Sequence, residues 1–188
     1  MIFIGFLAIS MFIILTSVLS YNSMVQLRNQ VRNAWKQIDI QLKRRHDLIP
    51  NLVNAVRGQM EFEKETLEGV ISARAAAVSA TGMVDTIKKE GELSSALSRL
   101  MAVSENYPDL KSNEAANNLM EELTTTENQV TFSRQFYNDL STSYNTRLEM
   151  FPTNLFASSF GFKFAPLFQI TEKQERDVPV VDFSKKPK

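Results

Sequence analysis

The chain has 188 residues, with 21 Lys and Arg against 21 Asp and Glu, one His and no Cys. A net charge of zero argues against a general nucleic-acid binder, which carries a basic excess. Without cysteine there is no thiol nucleophile and no thiol to carry a lipid, and the composition is compatible with a reducing compartment.

The first predicted element is a membrane anchor. Residues 1–20 hold no charged side chain, and Asp39 is the first acid in the chain. About 20 apolar residues match the roughly 30 Å of bilayer hydrocarbon when helical. The hydroxyls of Ser10, Thr16 and Ser17 can bond back to helix carbonyls, and a helix satisfies its own backbone without water. A cleaved secretory signal is the alternative. The flanks favour a retained anchor, since no Lys or Arg precedes the apolar run and no clean small-x-small site follows it. Arg28, Arg32 and Lys36 lie just beyond it, so the positive-inside rule predicts the N-terminus outside and the rest in the cytoplasm. The expected location is the inner cell membrane, with the lipid bilayer contacted through residues 2–20.

From Met24 the apolar residues step by three and four: Met24, Leu27, Val31, Trp35, Ile38, Leu42, Ile49, Leu52, Val56, Met60. That is one face of an amphipathic helix. Arg45 fills the gap in the stripe. Pro50 falls inside it, so the choice is a helix newly capped by Asp47 or a continuous kinked rod, and the unbroken stepping favours the rod. The pattern continues, weakened at Gly58, through Leu67, Val70 and Ile71 to Ala80, where Thr81-Gly82 supplies a stop. A second stretch covers 85–105, and Tyr107-Pro108-Asp109 is a turn. A long helix spans about 112–149 with the stripe Leu119, Leu123, Val130, Tyr137, Leu140, Tyr144 and Leu148. Phe151-Pro152 ends it, because the residue before proline avoids the helical region. Seven of the 13 phenylalanines fall from Phe151 to Phe183. That segment is too apolar for a disordered tail. It reads as a loop packed over one end of the bundle, or as an exposed patch for a partner or the bilayer. The expected division is 1–20 anchor, 21–151 helical bundle, and 152–188 C-terminal segment on the bundle with its last few residues disordered.

Chemistry-bearing residues concentrate early. Lys43-Arg44-Arg45-His46 lies about 36 Å along an upright helix from the anchor, several Debye lengths from lipid headgroups. It reads as a solvated or ion-paired face. Placing Asn22 level with Phe151 on antiparallel helices brings Asp39 opposite Arg134, and Arg45 opposite Glu127 or Asn128. We therefore expect a structural polar cluster of Asp39, Arg44, Arg45, His46, Asp47, Glu127 and Arg134, fixing register between the helices. His46 is a poor metal site, since adjacent His46 and Asp47 point different ways on a helix. Glu61, Glu63, Glu65 and Glu68 read as a solvated acidic face, with Lys64–Glu68 as mild compensation. Trp35 lies on the stripe and reads as core. No Gly-x-Ser-x-Gly and no phosphate-cradling loop is present.

Together, Tyr21-Asn22, Leu27-Arg28-Asn29, Ala34-Trp35, Gln37-Ile38-Asp39 and the run from Gln41 to Val53 (QLKRRHDLIPNLV) resemble the signature of the LemA family. So do Glu63-Lys64-Glu65, Ala73-Arg74, Tyr107-Pro108-Asp109-Leu110-Lys111, Arg134, Tyr137-Asn138, Tyr144-Asn145 and Gly161-Phe162. The resemblance implies a bacterial all-α protein: one N-terminal transmembrane helix, then an antiparallel bundle of long helices in a LemA-like four-helix arrangement, closed by the Phe-rich irregular segment. It implies no enzymatic activity, cofactor, metal or small-molecule substrate. Some relatives act in building magnetosome membranes, and no motif carries that role over. The expected function is a single-pass, membrane-anchored interaction or scaffold protein with an unknown protein partner or itself. Self-assembly that organises the membrane is the alternative, and an enzyme with a site around His46 is the weakest.

Overall fold

A computed structural model describes residues 2–60 and 62–168, and its regular elements are helices. α1 (Ile2–Val56) is one unbroken helix of 55 residues, about 80 Å at 1.5 Å per residue. α2 (Lys64–Val78) and α3 (Met83–Ser104) form a hairpin, α4 (Pro108–Lys111) is a single turn, and α5 (Glu114–Glu149) returns along α1. A 3-10 turn at Thr153–Leu155 follows.

α1 settles the choice at Pro50 in favour of a continuous helix. The expected extension of the pattern from Met60 into α2 is corrected. α1 stops at Val56, and a turn around Gly58 carries the Met60 N–H to the Val56 carbonyl before α2 begins. Gly82 is also placed differently from its expected role as a helix stop. α2 has already ended at Val78, and Gly82 precedes α3 at φ 79° and ψ 162°. That region is essentially closed to residues with a Cβ. Gly82→Ala is expected to cost about 1–3 kcal/mol from backbone strain alone, read as a lowered unfolding midpoint. Open space around the position means no clash contributes.

Along α1 the buried or half-buried residues Met24, Arg28, Val31, Trp35, Ile38, Leu42, Arg45, Ile49, Leu52 and Val56 alternate in steps of four and three. On α5 the matching row is Leu123, Glu127, Val130, Arg134, Tyr137, Ser141, Tyr144 and Leu148. A 3.5-residue repeat on both partners is what keeps two long helices in contact. The rows enclose two apolar cores. The distal core takes Ile49, Leu52, Val53 and Val56 of α1, Leu67 and Val70 of α2, Leu93, Leu97 and Leu100 of α3, and Leu123 of α5. The proximal core takes Met24, Val31, Ile38 and Leu42 of α1 with Val130, Tyr137, Tyr144 and Leu148 of α5.

Residues after α5 complete the proximal core. A hook (152–161) tucks Thr153 and Ala157 inward, and a strap (162–168) runs back along both helices. Trp35 stacks on Phe168 at 5.6 Å and meets the Tyr137 ring edge-on at 5.7 Å. Over its described part this segment buries Thr153, Ala157 and Phe162 and leaves Phe151, Leu155 and Phe160 exposed. Phe183 and the chain end expected to be disordered lie outside the described residues.

Candidate functional site

Arg45 sits on the α1 stripe between Leu42 of the proximal core and Ile49 of the distal core. Glu127 holds the equivalent place on α5, between Leu123 and Val130. α3 adds Glu90, three residues before Leu93 on its own buried stripe. These side chains form a polar layer that divides one core from the other.

The Arg45 guanidinium is fully enclosed, as is Glu90. It donates to both carboxylates, Glu90 and Glu127, and to the Ser94 hydroxyl at 2.9 Å. Ser94 in turn donates to Glu127 at 3.1 Å. His46 Nε2 lies 2.7 Å from the other Glu90 oxygen. Burial lowers the Arg45 pKa from its ordinary value, and Glu127 beside it acts in the opposite direction. A guanidinium nonetheless stays charged, so two carboxylates around it answer the desolvation.

Pro50 explains a further contact. Its missing N–H leaves the carbonyl four residues earlier, that of His46, without a helical donor. Arg74 of α2 supplies one, with Nε donating to the His46 oxygen at 2.7 Å. The proline inside α1 is thus the site where α2 is fastened by a side chain.

His46 is pushed down to about 4 by burial, with the Arg45 and Arg74 guanidiniums adding repulsion and Asp47 opposing them. The Glu90 carboxylate also favours the proton, but its charge is shared with Arg45. A neutral imidazole donating from Nε2 to Glu90 fits these surroundings. Because the folded pKa lies below the ordinary 6.5, the unfolded chain takes up the proton first. The stability contributed by neutral His46 is complete above about pH 6.5 and is lost as pH falls toward 4. Unfolding midpoints measured across that window are expected to fall for the native chain. The upper part of the decline should flatten in His46→Gln.

Other expected members of the cluster are placed elsewhere. Arg44 pairs with Glu122 at 2.7 Å on the surface, not with Glu127. The expected Asp39–Arg134 pair is not formed among the described residues. Asp39 is exposed, and the Arg134 guanidinium stacks over the Phe168 ring at 5.5 Å. Asp39 lies one residue past buried Ile38, off the inward stripe of α1, whereas Arg134 is on the inward row of α5. Asp47 is exposed beside the layer. Sequence reasoning missed Glu90, Ser94 and Arg74. Glu90 carried a usable signal, since it falls at helical spacing ahead of the apolar row Leu93, Leu97 and Leu100. Of the acidic group, Glu63 accepts from the Tyr107 hydroxyl at 2.9 Å, Glu65 and Glu68 are exposed, and Glu61 lies outside the described residues.

These residues lie within the span that a family comparison matches. The sequence model of the LemA family matches residues 34–183. The chain belongs to the LemA family. It is 25% identical to magnetosome protein MamQ 2 of Paramagnetospirillum magneticum, over 89% of this chain and 71% of that protein. It is 25% identical to protein LemA of Metamycoplasma hominis over 84% of this chain and 72% of the relative. MamQ of Magnetospirillum gryphiswaldense is 23% identical over 89% and 71%.

In this LemA-family chain the signature residues acquire physical roles. The Lys43–Pro50 run builds the polar layer and the carbonyl that Arg74 caps. Tyr107 ties down Glu63 at the distal end. The two Tyr-Asn pairs, seven residues apart, bury Tyr137 and Tyr144 in the core. Their asparagines clasp the strap backbone. Asn145 bonds both the N–H and the carbonyl of Ala165, at 2.8 and 2.9 Å, and Asn138 does the same to Phe168, at 2.8 and 3.0 Å.

Proposed function

We propose that this LemA-family protein is a single-pass membrane scaffold whose helical domain stands off the bilayer on a rigid continuation of its anchor. One observation carries the reading. α1 passes without interruption from an apolar stretch, exposed from Phe3 to Leu15 apart from partly covered Ser10, into the core of the domain. Exposed Ile, Leu and Phe over that length suit lipid and not water. The same helix then holds Ile49 and Leu52 fully buried, so anchor and domain move as one rod. The distal half is read as the four-helix arrangement and the α1–α5 stalk as a coiled-coil pair. The positive-inside bias of Arg28, Arg32 and Lys36 puts the domain in the cytoplasm.

The scaffold role is supported by Phe132 and Phe136, one turn apart on α5 and 66% and 49% exposed. Neighbouring exposed aromatics on a helix are suited to contact with a second protein. Assembly of many anchored copies, with the same exposed pair meeting across two chains, is the second reading. Photo-crosslinkers at Phe132 and Phe136 in intact cells test both. Adducts with another protein support the scaffold, adducts between two copies support assembly, and monomer alone at both positions overturns the two together. Since the chain has no cysteine, Val84→Cys reports the side. An impermeant maleimide is expected to reach it only after the cells are opened.

A further inference from the structure

We propose that the hook (152–161) is a second membrane-contact element, inserting apolar side chains into the phospholipid interface beside α1. The inference rests on reading residues 2–20 as a bilayer span.

Sequence supplies the first argument. No charged residue lies between Glu149 and Lys163, and the intervening stretch carries Phe151, Leu155, Phe156, Phe160 and Phe162. The hook also closes much of its own backbone hydrogen bonding. Asn154 N–H donates to Met150, Phe156 and Ala157 to Thr153, Phe160 to Phe156, and Phe162 to Ala157. Internal satisfaction of this kind is what a segment needs before it can leave water.

Its faces are divided. Thr153 and Ala157 of the hook are buried against the helices, as is Phe162 where the strap begins, and Leu155 and Phe160 are 70% and 58% exposed, with Phe151 just before the hook 77% exposed. A short segment fastened by one apolar side and presenting another has an unfilled partner surface. Its height identifies that partner. Phe156 and Phe160 line an apolar cleft of about 440 Å³ with Ser17, Val18 and Tyr21 of α1. Tyr21 meets the Phe160 ring edge-on at 5.1 Å and the Phe162 ring at 5.7 Å. The hook therefore hangs level with the last residues of the apolar stretch, where the bilayer surrounding α1 reaches the interface.

Charge follows the same layering. Above the exposed face, Arg28 stacks over Phe162 at 4.9 Å, Lys163 follows in sequence, and Arg147 lies in the last turn of α5. Aromatic rings at the boundary with Lys and Arg just beyond are the pattern of a membrane interface. A protein partner at this height would have to displace lipid already packed around α1.

The experiment uses the full chain in vesicles of phosphatidylcholine and phosphatidylglycerol. Single cysteines are introduced as Ile13→Cys in the anchor, Leu155→Cys and Phe160→Cys in the hook, and Val84→Cys in the domain. Each carries an environment-sensitive fluorophore and is titrated with lipids bearing a quencher near the headgroup. Thr153, Ala157 and Phe162 stay unchanged in every variant, and Leu155→Cys also leaves the Phe160–Tyr21 contact in place, so position 155 reads the hook with its attachment kept. The expected result is quenching at positions 155 and 160 several-fold above position 84, with blue-shifted emission. Blue-shifted emission at position 13 with positions 155 and 160 resembling 84 overturns the hook alone. Blue-shifted but unquenched probes at 155 and 160 also overturn it, in favour of a covering protein. Emission at position 13 as red as that at position 84 removes the anchor reading and the hook with it.

Discussion

Replacing Glu90 with alanine is expected to destabilise the helical domain by about 3–5 kcal/mol, the usual cost of stranding one half of a buried ion pair. The enclosed Arg45 guanidinium keeps Glu127 and Ser94 as partners but loses the carboxylate that is itself buried. His46 loses its acceptor in the same step. The comparison is Arg44→Ala, which breaks the exposed Arg44–Glu122 pair and is expected to cost no more than about 1 kcal/mol. Chemical unfolding of the full chain in detergent, followed by circular dichroism, measures both. Exchanging Arg45 and Glu90 together for Met and Leu is expected to recover most of the loss, because apolar residues of similar volume do not require paired charge. Equal effects from Glu90→Ala and Arg44→Ala would contradict the role given to the layer.

The double variant Asn138→Ala with Asn145→Ala is expected to release the strap. Each asparagine makes two bonds to strap backbone, and a net bond contributes about 1 kcal/mol, so the four together outweigh most single surface changes. Release uncovers Trp35, the one tryptophan, from its stack with Phe168. Its emission should move to longer wavelength while helix content is kept, and protease should cut within 162–168. An unchanged Trp35 spectrum would show that Phe162 and the hook hold the strap without the clasps.

These two sites show where sequence reading succeeds and where it stops. The α1–α5 register was legible because each stripe repeats every three and four residues and the two helices run antiparallel. Setting Asn22 level with Phe151 put Arg45 opposite Glu127 or Asn128, and the pair with Glu127 is formed. Arg134 was assigned to Asp39 by the same rule and instead stacks on Phe168. The rule treats two helices and contains no third chain segment, whereas the strap lies against both. Glu90 went unassigned for a related reason. Periodicity marks it as facing inward, but which cation it meets depends on how the α2–α3 hairpin docks, and the turn around Gly58 decides that.

By itself the sequence determined an N-terminal helix long and apolar enough to cross a membrane, the helical class, the family and the antiparallel pairing, because hydrophobic period and charge-free length act locally along the chain. Only the tertiary structure decided that Arg74 caps the carbonyl freed by Pro50, that Glu90 completes the Arg45 layer, and that the hook hangs beside Tyr21. Each of those contacts joins residues far apart in sequence. Their geometry is set by how the helices and the final segment pack together, and no local period encodes it.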